Sequence, residues 1–122
     1  MLVSFAHTGF VVRDLEESIS FYTDVLGLQL SGKGDDDGTE KHAQLLGFPR
    51  VHLKAAGLVL GSGHTLELLE YVHPPGKDGR NDRNDLGASH LAFFVQNIDE
   101  FYQETSRKGL KFINPPTPTY GE

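Results

Sequence analysis

The chain has 122 residues, of which 38% are hydrophobic and 23% charged, and its net charge is −6. This length predicts one folded domain, and the acidic balance excludes the basic surface that nucleic acids or anionic membranes require. The absence of cysteine excludes disulfides, thiolate metal sites and cysteine nucleophiles. No apolar run approaches the ~20 residues of a membrane span, and no basic and apolar leader begins the chain, so we expect a cytoplasmic protein.

The sequence contains an internal repeat. The segment HTGFVVRDLEE, which starts at His7, matches the segment HLAFFVQNIDE, which starts at His90, at an offset of 83 residues. This offset is too long for a solenoid and is typical of a duplicated module. We therefore expect one domain at residues 1–122, made of a first βαβββ module at 1–72, a linker at 73–87 and a partial second module at 88–122.

The first module begins with a predicted strand at residues 5–12, which are rich in β-branched and aromatic types. Asp14, with Glu17 three residues later, predicts the start of a helix, and Gly27 its end. The apolar stripe of this helix is Leu15, Ile19, Tyr22 and Leu26. The elements expected next are a short strand at 28–30, a flexible loop at 32–38 that carries Asp35, Asp36 and Asp37, one or two helical turns at 40–47, and strands at 51–60 and 64–71.

The second module repeats this pattern only in part. We expect a strand at 90–95, a helix that starts at Asn97 and ends at Gly109, and a strand at 111–113. The offset puts the counterparts of the two long strands beyond residue 122. Either the chain is a piece of a longer protein, or another chain supplies these strands. Because unpaired strand edges favour association, we expect a homodimer. The predicted fold class is α+β.

Three side chains form the candidate site. The alternation of side chains along a strand places His7 and His90 on the sheet face opposite the helices. Glu67 interrupts the apolar run LELL of another strand, where an unpaired charge is costly. Two imidazoles and a carboxylate suit a divalent cation and leave positions open for water or substrate.

Simpler structural roles are open for the same residues. Each histidine can be a hydrogen-bonded residue at the start of a strand, and Glu67 can pair with Arg50 or Arg80. Glu70 is expected to be a solvated or sheet-face residue rather than a metal ligand. Surface positions are expected for His42, His52, His64 and His73. The run Asp35 to Asp37 lacks the alternating ligands of a calcium loop, so we expect it to be solvated.

Four segments together resemble the vicinal-oxygen-chelate superfamily, which includes glyoxalase I, methylmalonyl-CoA epimerase, extradiol dioxygenases and fosfomycin and bleomycin resistance proteins. They are HTGFVVRDLE from His7, FYTDVLGL from Phe21, LELLEY from Leu66 and SHLAF from Ser89. The resemblance implies paired βαβββ modules that form a cupped mixed sheet around a divalent metal, here with the second module truncated. It implies His7, Glu67 and His90 as metal ligands, and a fourth carboxylate near position 150, which this sequence does not reach.

The function that this resemblance implies is a metal-dependent lyase or isomerase that acts on a small oxygenated molecule through an enediolate. Zinc, nickel, cobalt, manganese or iron would act as the Lewis acid, and Glu67 or the fourth carboxylate would move the proton beside the carbonyl. Two alternatives are open. One is an extradiol-type Fe(II) dioxygenase. The other is a metal-free protein that sequesters an antibiotic. The sequence predicts no nucleic-acid or membrane partner.

Overall fold

The computed structural model describes residues 1–61, 63–79 and 81–118. They belong to two compact units, Met1–Lys77 and Asp78–Glu122. The first unit contains a four-stranded sheet in the order β1-β4-β3-β2. β1 runs parallel to β4, and the other pairs are antiparallel, so the sheet is mixed and open. The strands are β1 (His7–Val11), β2 (Gln29–Asp37), β3 (His52–Val59) and β4 (Thr65–His73). The predicted α+β class is confirmed.

One face of the sheet is covered by the helix that follows β1. Helix α1 (Leu15–Ser20) continues into a π-helical turn at Phe21–Val25. The Asp14 side chain accepts a hydrogen bond from the Glu17 amide at 3.0 Å, and Gly27 follows with a φ of 80°, so the predicted start and end of the helix are confirmed. The main core lies between this helix and the sheet and contains Leu15, Ile19, Leu28, Ala56, Leu58, Leu66 and Leu68, with Phe10 and Val12 packed against it.

Glu70 joins the start of α1 to the sheet. Its Oε1 atom accepts a hydrogen bond from the Leu15 amide at 2.7 Å, in a partly buried position. This contact satisfies one of the amides that the first turn of a helix leaves without a partner. Glu70 therefore lies on the sheet face, as the sequence predicts, and it faces the helix.

We expect Glu70→Ala to destabilise the first unit by about 1–3 kcal/mol, because it leaves the partly buried amide of Leu15 without an acceptor. Glu70→Gln should recover most of this loss, because its amide oxygen can accept the same bond. Urea unfolding followed by circular dichroism measures both variants. Equal losses in the two variants would show that the hydrogen bond is not the cause.

The other face of the sheet is covered only at one end within the first unit. Helix α2 (Glu40–Leu46), which the sequence predicts at 40–47, brings Ala43 to a small cluster with Val51 and Leu53. Leu69 and Tyr71 of β4 pack against this cluster. Because side chains alternate along β4, Glu67 lies on this same face, beyond the part that α2 covers.

The prediction of a flexible acidic loop at 32–38 is wrong. Strand β2 continues through this segment, and Asp35 and Asp37 pair with Lys54 and His52 of β3. Glycine and aspartate have low strand propensity, but cross-strand partners override that preference here. His52 Nε2 lies 2.6 Å from Asp35 Oδ1, so this pair of polar side chains links β3 to β2.

The second unit contains helix α3 (Ile98–Arg107). Asn97 accepts a hydrogen bond from the Glu100 amide at 3.1 Å, and Gly109 has a φ of 98°, so both predicted helix limits are confirmed. The predicted strands at 90–95 and 111–113 are wrong, because neither segment is a strand. In the first unit, the equivalent β1 and β2 pair with β4 and β3, and residues 81–118 contain no strand that could serve as such a partner.

Helices in the described part of the chain are too short or too polar to cross a bilayer.

Candidate functional site

His7 and Glu67 meet on the sheet face that α1 does not cover. β1 and β4 are parallel neighbours, and their register sets Gly9 opposite Glu67. His7 lies two residues before Gly9, and therefore on the same face as Glu67. Its Nε2 atom is 3.7 Å from Glu67 Oε2, and the two side chains are 49% and 35% exposed. The structure thus brings together the first two of the three predicted site residues.

This pair fits a divalent cation in its donor chemistry. An imidazole nitrogen and a carboxylate oxygen bind such cations with bonds of about 2.0–2.2 Å, so atoms 3.7 Å apart can contact one ion. His90, the third predicted ligand, belongs to the second unit and is exposed. Among residues 1–61, 63–79 and 81–118, no group of three His, Cys, Asp or Glu side chains has the arrangement of a metal site.

Glycines lie on both sides of Glu67 across the sheet. The strand registers align Gly32 of β2, Gly57 of β3, Glu67 of β4 and Gly9 of β1 across the sheet. The carboxylate therefore rises from a floor that has no other side chain in its row. An open groove of about 220 Å³ lies over this floor, and it is lined by residues 31–34 and 55–57 together with Glu67. Sequence analysis missed this groove, since only the register shows that the glycines are neighbours.

The simpler roles considered for these residues have mixed outcomes. Arg50 pairs with Asp37, with Nη2 and Oδ1 3.2 Å apart, so it is not the partner of Glu67. Arg80 lies outside the described residues. His64 and His73 are exposed, as predicted.

The surface positions predicted for His42 and His52 are confirmed only in part. Their side chains are only 30% and 21% exposed, and they pair with Asp36 and Asp35. The acidic run is the signal that could have identified the Asp35–His52 pair, because polar and opposite-charge pairs across neighbouring strands stabilise a sheet. His42 lies on α2, so the strand pattern does not identify its pair with Asp36.

The pKa of the Asp36 carboxyl lies below its ordinary value. A hydrogen bond from the Thr39 hydroxyl lowers the pKa of the Asp36 carboxyl, and the adjacent His42 lowers it further. The folded chain therefore binds this proton less tightly than the unfolded chain does. Asp36 stabilises the fold above the ordinary carboxyl pKa, and this contribution is lost as the pH falls through the lowered value.

We expect Asp36→Asn to lower the urea midpoint at neutral pH, because the amide keeps the shape of the carboxylate but not its charge. The difference from the parent chain should shrink steadily as the solution is acidified through the carboxyl range. Urea titrations at a series of pH values measure this effect. A difference that stays constant from neutral to acid pH would contradict it.

Comparison with known proteins agrees with this architecture. Residues 4–122 match the family model described as the Glyoxalase/Bleomycin resistance protein/Dioxygenase superfamily. Among curated proteins, the chain is 30% identical over 117 residues to a 2-epi-5-epi-valiolone epimerase of Actinomyces sp., a match that covers 93% of the chain and 64% of that protein. It is 29% identical to a probable lactoylglutathione lyase of Synechocystis sp., with coverages of 92% and 75%. The chain thus spans about two thirds to three quarters of the length of these relatives.

Two solved structures share the fold. A glyoxalase family protein from Bacillus cereus has a TM-score of 0.67 and 24% identity, with 89% of this chain and 74% of that chain covered. A mutant of the fosfomycin resistance protein FosX from Listeria monocytogenes, complexed with Mn(II) and 1S,2S-dihydroxypropylphosphonic acid, has a TM-score of 0.65 and 17% identity. That match covers 99% of this chain and 80% of that one.

Proposed function

Because the chain belongs to the Glyoxalase/Bleomycin resistance protein/Dioxygenase superfamily, we propose that it is a metal-dependent lyase or isomerase for a small oxygenated substrate. The observation that carries the proposal is the His7–Glu67 pair, 3.7 Å apart beside an open groove. A relative that is an epimerase and another that is a probable lactoylglutathione lyase support this class of chemistry. The Mn(II) bound by FosX supports a divalent cation.

Each proposed site residue has its own role. His7 and Glu67 hold the divalent cation within the first unit, and we propose His90 as the ligand from the second unit. The cation supplies Lewis-acid stabilisation of negative charge on the substrate oxygens. Glu67 also moves the proton on the carbon beside the carbonyl, because a carboxylate next to an open groove can reach both a cation and a substrate.

Assembly and location stay predictions. β1 and β2 are the two edges of the sheet, and exposed edges favour pairing with another chain, which supports the expected homodimer. A cytoplasmic location and the identity of the cation rest on the sequence and on the resemblance alone.

Metal content and proton exchange test the proposal together. We expect the untagged protein to hold about one transition-metal ion per chain and His90→Ala to lose it, because removal of one of three ligands opens the site to water. His73→Ala is the matched control, because His73 is exposed and lies outside the proposed site. Mass spectrometry with inductively coupled plasma measures the metal.

The chemistry is then read as deuterium incorporation beside the carbonyl in D₂O, with 2-epi-5-epi-valiolone and with the hemithioacetal of methylglyoxal and glutathione as substrates. Incorporation that depends on the bound metal supports the proposal. Full metal binding by His90→Ala would contradict the role of that histidine. If the metal-loaded protein produced no exchange with either compound, the lyase or isomerase assignment would fail.

A further inference from the structure

A bulge in β2 places one hydroxyl group over the groove. Leu30 pairs with Leu58 and Gly32 pairs with Gly57, so Ser31 is an extra residue without a partner in β3. Such bulges redirect a side chain and often lie beside functional sites. Here the redirected side chain is that of Ser31, which lines the groove together with Glu67.

The position of the hydroxyl follows from its distance to Gly57. A Cβ atom built on Gly57 would lie 2.7 Å from Ser31 Oγ, so this oxygen occupies the space that any larger residue would fill. Gly57 and Glu67 are cross-strand partners, and their side-chain directions point to the same face. The Ser31 hydroxyl therefore lies above the sheet on the side of the Glu67 carboxylate.

This hydroxyl has no hydrogen-bond partner among the described residues, and Ser31 is exposed. The strands are about 4.8 Å apart, so the oxygen over β3 lies roughly one strand spacing from the backbone of Glu67 on β4. Roughly two to four bonded carbon atoms span that distance. Gly57 alone lies in the row between the two residues, and the Thr65 methyl group borders it, 3.6 Å from where a Gly57 Cβ atom would be.

We propose that Ser31 is a specificity-determining residue, whose hydroxyl binds an oxygen substituent of the substrate that reacts at Glu67. The substrate is therefore a hydroxylated carbonyl compound with a further oxygen roughly two to four carbons from the reacting carbon. This inference rests on the proposed function for the place of reaction, and it adds the class of substrate. Gly57 contributes to this specificity, because the absence of a side chain there leaves room for the Ser31 hydroxyl.

The test compares two ketones that differ by one hydroxyl group, dihydroxyacetone and hydroxyacetone. Binding to the ¹⁵N-labelled full chain with Zn²⁺ is followed by NMR at the amides of Ser31 and Gly57. We expect the parent chain to prefer dihydroxyacetone by about 2- to 12-fold, the range of one neutral hydrogen bond. Ser31→Ala should abolish this preference without changing the affinity for hydroxyacetone, and Ser31→Thr should restore it.

Gly57→Ala adds an independent check, because the new methyl group displaces the Ser31 hydroxyl. It should remove the same preference, and the double variant should lose nothing more. Ser20→Ala, on the exposed side of α1, should bind both ketones as the parent does. Thermal unfolding of each variant shows that the chain is folded.

The inference is overturned if Ser31→Ala keeps the preference, or if dihydroxyacetone does not shift these amides in the parent chain. Failure of the proposed function has a different signature. In that case the parent chain still prefers dihydroxyacetone and Ser31→Ala still abolishes that preference, while Zn²⁺ leaves the resonances of His7 and Glu67 unchanged.

Discussion

Glu67→Gln is expected to lower the affinity for the divalent cation by more than about 100-fold and to abolish proton exchange. Loss of an outer-shell partner of a metal typically lowers affinity by about 10–100-fold, and loss of a direct ligand has a larger effect. The neutral amide keeps the size of the carboxylate and removes its charge and its basicity. Both proposed roles of Glu67 are therefore lost in one substitution, while the shape of the groove is kept.

The stability of the metal-free chain separates this effect from unfolding. Glu67 and His7 are 35% and 49% exposed, and exposed ion pairs contribute only about 0–1 kcal/mol to folding. We therefore expect the free energy of unfolding of Glu67→Gln to lie within about 1 kcal/mol of that of the parent chain. Glu104→Gln, on the exposed surface of α3, is the matched control and should keep full metal affinity. Isothermal titration with Zn²⁺ and Mn²⁺ measures the affinities, and unchanged values for Glu67→Gln would exclude it as a ligand.

The helices of this chain could be predicted well because their signals are local. Asp14 and Asn97 cap the starts of α1 and α3 through bonds to amides three residues later, and glycines with positive φ follow both helices. The strands depend on partners that are distant in the sequence. This is why residues 32–37 form a strand against β3 in spite of their composition, and why residues 90–95 do not form one in spite of theirs.

The site could be predicted in part for the same reason. Alternation along the first strand places His7 on the sheet face opposite the helices, and the parallel register of β1 and β4 then brings the side chains of His7 and Glu67 to 3.7 Å. The row of glycines beside Glu67 depends on three registers at once, and no local pattern in the sequence encodes it. The position of Ser31 is harder still to predict from the sequence, because Ser31 lacks a partner in β3 only as a result of the register shift of β2 against β3.

Leu68→Ala is expected to destabilise the first unit by about 2–5 kcal/mol, the range for deletion of a fully buried leucine side chain. Leu68 has no exposed surface, and it lies in the core cluster between the sheet and α1 with Leu58 and Leu15. Its neighbour Leu66 is also buried, and both side chains point away from the groove. The cavity would therefore form beneath β4 and directly behind Glu67.

The position of this cavity links stability to the site. Leu68 follows Glu67 in the same strand, so relaxation of β4 toward the cavity should also shift the carboxylate and weaken metal binding, although Leu68 does not face the groove. Leu45→Ala is the matched control, because Leu45 is 81% exposed and its loss should change stability by less than about 0.5 kcal/mol. Guanidinium unfolding of the metal-free chain measures both variants. Equal midpoints for Leu68→Ala and Leu45→Ala would contradict the placement of Leu68 in the core, and with it the assignment of Glu67 to the opposite face.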